Sequence, residues 1–134
     1  MPSENMPECV ISGDLASRRV QYFNDQKKTA MDGCIGKPDN ASLTYSVAPF
    51  LQLLTGLTAE PGKFTGLRVY FASYLRSAGD PGSQYIPAGA DDTFALVYVY
   101  TKEAVVKGKT ISQDDGAHAY TIIGEKLIRL PQPG

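Results

Sequence analysis

Apolar positions recur along this chain with two periods, close to 3.6 residues in the first half and two residues in the second. Ala16, Val20 and Phe23 stand at i, i+4 and i+7 with Leu15 beside them, while Arg18, Arg19, Gln21 and Asn24 fall off that stripe. This spacing predicts a helix from about Gly13 to Asp25, capped by Ser12 and favoured by Asp14 in its first turn. Turn-forming residues crowd Gly33 to Asn40. A second helix is predicted from Ser46, its N-cap, to a stop at Gly56, with Pro49 tolerated in the first turn. Val47, Phe50, Leu51, Leu54 and Leu57 form its apolar, core-facing side.

Beyond Glu60-Pro61-Gly62 the period changes. Gly66 to Arg76 alternates Leu67, Val69, Phe71, Ser73 and Leu75 with Arg68, Tyr70, Ala72, Tyr74 and Arg76, the pattern of a strand. Thr93 to Thr101 is apolar on both faces, which predicts a strand inside the sheet with cover on each side. The connection from Ser77 to Asp92 is long for a small domain, as functional loops often are. A hairpin of Ala104–Ile111 and Ala117–Ile123, turned by Asp114-Asp115-Gly116, and an edge strand over Lys126–Leu130 complete the expected elements. The sum is an α+β fold, two N-terminal helices packed on a mostly antiparallel sheet.

At 134 residues one domain is expected, spanning 1–134 with residues 1–9 as a loose arm. Thirteen basic against fourteen acidic residues give a net charge of −1, which disfavours a nucleic-acid binder held by phosphate contacts. The longest apolar run, Phe94 to Tyr100, is far below the ~20 residues of a membrane helix. The first eight residues lack the basic and apolar regions of a secretory signal, which predicts a cytoplasmic protein. Cys9 and Cys34 are too few for a zinc site, and free thiols are expected, with a Cys9–Cys34 bond left open. No phosphate loop, dinucleotide fingerprint, nucleophile elbow or zinc-protease motif occurs, so neither metal nor cofactor is expected.

The candidate chemistry gathers on one strand. Period two puts Arg68, Tyr70, Tyr74 and Arg76 on the same side, two phenols between two guanidiniums. Tyr98 and Tyr100 would join them if the neighbouring strand falls in that register. Such a face suits a small anionic or aromatic ligand, a protein partner or a second subunit. His118, the only histidine, follows Asp114 and Asp115 and is the one candidate acid/base group of its type, with Ser112 or a cysteine as nucleophile if the fold brings them near. Cys34 between two glycines is expected to be a small buried thiol.

The stretch Gly66-Leu67-Arg68-Val69-Tyr70-Phe71-Ala72-Ser73-Tyr74, with the helix start at Tyr45-Ser46 and Leu53-Leu54 before it and Thr93 to Thr101 after it, resembles a group of uncharacterised bacterial proteins. These share a G-[LI]-R-[VI]-Y-[FL]-[GA]-x-Y strand followed by an apolar strand ending in Thr. The resemblance covers about the middle half of the chain and brings no activity with it. The expected function is therefore a small non-catalytic binding or interaction module, homodimeric or with a protein partner, that uses the polar-aromatic face. The alternative is a hydrolase or lyase for a small anionic substrate, with His118 or Tyr70 as acid/base and Arg68 holding the anion. A purely structural accessory subunit is a third class.

Overall fold

A computed structural model describes Val10 and residues 13–74, 89–90 and 92–130. The chain divides into two compact units, Met1–Ala41 and Ser42–Gly134. The first is helical. Helix α1 (Gly13–Phe23) runs through one π-helical segment, Asn24–Lys28, into α2 (Thr29–Ile35). The helical path thus continues ten residues beyond the expected end at Asp25, because nothing between there and Gly33 breaks a helix. Thr29 Oγ1 donates to the Asn24 carbonyl at 3.1 Å inside the widened turn.

The stop comes at Gly36, whose left-handed φ of 72° suits a residue without Cβ and whose N–H closes onto the Asp32 carbonyl at 2.9 Å. Asp32 fastens this end, since its carboxylate accepts from Lys28 Nζ at 2.8 Å and from the Asp39 amide at 2.6 Å. The expected core stripe of α1 is not buried. Ala16 and Val20 are exposed, Phe23 is half-buried, and no α1 residue is fully buried.

In the second unit α3 (Val47–Thr58) precedes a four-stranded antiparallel meander of β1 (Gly66–Ser73), β2 (Phe94–Val106), β3 (Lys109–Ile123) and β4 (Lys126–Arg129). Fold class is α+β. As expected, β2 lies inside the sheet, with Ala95, Val99 and Thr101 buried on one face and Tyr98 and Tyr100 on the other. The core is the cluster of Leu53, Tyr98, Tyr100 and Ile122, closed by Tyr45, Leu57 and Phe64.

Three expectations about this unit are corrected. Leu57 of the expected face packs against the core, beside Pro49 and Leu53, which are buried, whereas Val47, Phe50, Leu51 and Leu54 are exposed. Gly56 lies inside the helix instead of ending it. A Cβ there would fall 2.5 Å from the Tyr100 hydroxyl, which donates to the Leu53 carbonyl at 2.5 Å. Glycine therefore makes room for an aromatic ring to reach the helix backbone.

Asp114-Asp115-Gly116 does not form the hairpin turn expected of it. The hairpin turns at Lys107-Gly108, where φ is 51° and 77°, the pair of positive values that a two-residue turn between twisted strands requires. Val106 and Lys109 close that turn. The acidic triplet instead lies within β3, where Val99 pairs with Ala119 and Thr101 with Asp114, so residues 115–118 stand against Tyr100 alone. This wide bulge bends the strand and re-aims its side chains. Among the described residues no helix is long and apolar enough to cross a membrane.

Candidate functional site

Register decides which sequence candidates meet. Thr101 pairs with Gly66, Val99 with Arg68 and Val97 with Tyr70, so Arg68 and Tyr70 share a face with Val97 and Val99. Tyr98 and Tyr100 pair with Val69 and Leu67 and therefore point to the opposite face. There they belong to the core beneath α3 and not to a polar-aromatic surface. Tyr74, one residue past β1, lines a small 100 Å³ pocket with Tyr45, Leu96 and Ile122, on the core side. Arg76 lies outside the described residues, as do Cys9 and most of the Ser77–Asp92 connection.

What remains of the expected face is Arg68 and Tyr70, and both are engaged. Arg68 Nη1 lies 2.5 Å from Asp114 Oδ1, and its Nη2 donates to the Ser112 carbonyl at 3.3 Å. The Tyr70 hydroxyl donates to Asp114 Oδ2. The bulge makes this possible by presenting Asp114 opposite Thr101, one strand away from Gly66. The space is tight, because a Cβ on Gly66 would fall 2.8 Å from Thr101 Oγ1. The Tyr70 oxygen and the Asp114 charge hold the Arg68 guanidinium above its ordinary pKa. Asp114 thus occupies the anion-holding position that the guanidinium offers.

His118 faces the other way. Its ring stacks on Tyr100 at 5.5 Å with planes 10° apart and meets Phe64 edge-on at 5.0 Å. Its Nδ1 lies 3.3 Å from Asp115 Oδ1 without the alignment of a hydrogen bond. Burial opposes ionisation of Asp115, but His118, the Ala117 amide at 3.0 Å and Lys102 together hold its pKa below the ordinary value. The two neighbouring aspartates consequently serve opposite faces, Asp114 with Arg68 and Asp115 with His118. His118 and Arg68 therefore stand on opposite faces of the sheet and do not address one substrate together.

On the core face, burial pushes up the pKa of Tyr45, reinforced by Tyr98, that of Tyr74, reinforced by Tyr45, and that of Tyr100, reinforced by Tyr120. Cys34 is an exposed free thiol at the end of α2, in contrast to the buried one expected. Among the described residues no three His, Cys, Asp or Glu side chains are grouped to hold a metal ion.

Exposed apolar side chains occur on α1 (Val20, Tyr22), on the distal hairpin (Val105, Val106, Ile111), along β1 and along α3. Along β1, Phe71 is 82% exposed, and Val69 and Tyr70 are each 42% exposed. Along α3, Val47, Phe50, Leu51 and Leu54 border an open groove of about 370 Å³ together with Tyr45 and Ser46. The sequence missed this groove because its lining reads as core. It also missed Asp114 as partner of Arg68, since a strand bulge has no signature that separates it from a turn. Compared with models of protein families, with curated proteins and with solved structures, the chain gives no match, so fold and site rest on its own residues.

Proposed function

We propose that this chain is a non-catalytic binding module that engages a protein partner along the β1 side of its sheet. The observation that carries this reading is the exposure of Phe71, Val69 and Tyr70 on a strand with one neighbour among the described residues. Val69 and Phe71 stand on one face of this strand and Tyr70 on the other. Solvated aromatic and β-branched side chains along an edge mark a contact surface more often than a bare one. Arg68 and Asp114 add a charged, mutually neutralised pair on the Tyr70 face of that edge. A small anion would have to displace Asp114, so a protein partner fits better than an anionic metabolite. The hydrolase or lyase reading is weaker, because its acid/base candidate His118 and its anion holder Arg68 stand on opposite faces.

A photo-crosslinking amino acid at position 71, introduced in living cells, tests this reading. A discrete protein adduct is expected from position 71 and none from Glu103 on the distal hairpin. Arg68→Ala/Tyr70→Ala should reduce the adduct severalfold while leaving the far-UV spectrum unchanged. Equal labelling from positions 71 and 103 would remove β1 as the contact surface.

A further inference from the structure

The two edges of the sheet are built differently. Edge strand β4 is four residues long and carries Lys126 and Arg129, the charges that keep an edge from recruiting another strand. Edge strand β1 is eight residues long and holds neither lysine nor proline. Its one cation, Arg68, is drawn onto Asp114. No described strand pairs with the outer side of β1.

The hydrogen-bonding parity of that edge is fixed. Tyr74 donates its N–H to the Thr93 carbonyl at 2.9 Å, in register with the pairs that precede it. The even-numbered positions of β1 therefore turn their backbone groups to β2, and Leu67, Val69, Phe71 and Ser73 turn theirs outward. Four outward residues spaced two apart are complementary to the same four on an antiparallel copy.

We propose that the partner of this edge is a second copy of the chain, joined by antiparallel pairing of β1 with β1 about a twofold axis at Tyr70. This rests on the binding-module reading and names its partner. In that arrangement Val69 of one copy stands opposite Phe71 of the other, and Leu67 stands opposite Ser73, so the outward donors and acceptors meet each other. The exposed Val69 and Phe71 side chains then cover one another on one face of the joined sheet. Arg68 falls opposite Ala72, so no like charges meet across the axis, and a net charge of −1 per chain adds little repulsion. The edge is ~27 Å long. Pairing along so short an edge covers less than the roughly 800 Å² per partner of stable interfaces, so the dimer is a weak, concentration-dependent one.

Sedimentation of the purified chain at concentrations up to about 1 mM tests the association. Concentration-dependent dimer is expected, weakened ~10-fold or more by Phe71→Lys, which puts a charge on the edge. Register is tested by Tyr70→Cys in a Cys9→Ser/Cys34→Ser background. At the axis the two Cα atoms of such a non-hydrogen-bonded pair lie about 4.5 Å apart, within disulfide reach, so mild oxidation should give covalent dimer. Val69→Cys should give far less, because its opposite residue is Phe71. Monomer at every concentration with no Tyr70→Cys dimer overturns the self-pairing, while a crosslink from position 71 to a different protein would keep the binding reading. A dimer indifferent to Phe71→Lys also overturns it. Should Phe71→Lys fail to fold, the cysteine pair decides.

Discussion

Substitution of Gly56 by alanine tests how closely α3 sits on the sheet. In an ordinary helix interior this change stabilises by ~0.8–1 kcal/mol, because alanine loses less backbone entropy. Here the new Cβ would lie 2.5 Å from the Tyr100 hydroxyl, too close for any real contact. Tyr100 is 2% exposed and cannot swing into solvent. Either the ring shifts and its hydroxyl loses the Leu53 carbonyl, which costs ~1–3 kcal/mol for a buried unsatisfied group, or the helix is pushed away at a similar cost. The net expectation is a loss of ~1–2 kcal/mol, read as a lowered urea midpoint with unchanged slope.

The Tyr100→Phe background reverses the sign. Without the hydroxyl, the nearest ring carbon is 3.6 Å from the alanine methyl, an ordinary contact. Tyr100→Phe alone should cost about 1 kcal/mol for the lost hydrogen bond. Adding Gly56→Ala to it should then restore ~0.5–1 kcal/mol of helix propensity. The cycle therefore has a coupling of ~1.5–3 kcal/mol, well above the additivity error of independent sites. Equal effects of Gly56→Ala in both backgrounds would refute the close approach of ring and helix.

Three further outcomes follow from the same contacts. Asp114→Asn leaves Arg68 and Tyr70 without their shared carboxylate, so the urea midpoint should fall, by less than for Gly56→Ala, and the difference from the parent should shrink in 1 M salt because the pair is partly solvated. Tyr45, Tyr74 and Tyr100 have pKa values raised in the fold, so above the ordinary phenol value of about 10 the unfolded chain releases protons that the fold retains. Stability should then drop as pH rises past that point, with late phenolate absorbance at 295 nm appearing together with loss of far-UV signal. Asp32 and Asp115 have lowered values, so the stability they give is present above the unfolded carboxylate value of about 3.9 and is lost as pH falls through their folded values. Acid titration should show Asp115→Asn losing the part of this dependence that involves His118.

How far the sequence reaches into this structure depends on the kind of information each element needs. Local spacing is enough for α3 and for β1, and it also places Arg68 and Tyr70 on one face. It cannot rank two apolar sides of one helix. Val47, Phe50, Leu51 and Leu54 are the bulkier side of α3, while the side that packs carries Pro49, Leu53 and Leu57, with Gly56 next to the Tyr100 hydroxyl. The low-profile side wins because Tyr100 projects from the sheet and needs somewhere to go. That reason lies 44 residues away in the chain, and no helical period contains it.

The same holds for Tyr98 and Tyr100. Their alternation is legible, but their face is set by the pairing of Gly66 with Thr101, which a single sequence leaves open. Asp114-Asp115-Gly116 has the composition of a turn, yet Lys107-Gly108 takes that role. Two positive φ values in a two-residue turn set the Val106–Lys109 pair, and the acidic triplet is left to absorb the mismatch against Tyr100 as a bulge. That absorption is what separates Asp114 from Asp115. One carboxylate goes to Arg68 and Tyr70, the other to His118, so two side chains four residues apart in sequence, Asp114 and His118, end on opposite sides of one sheet.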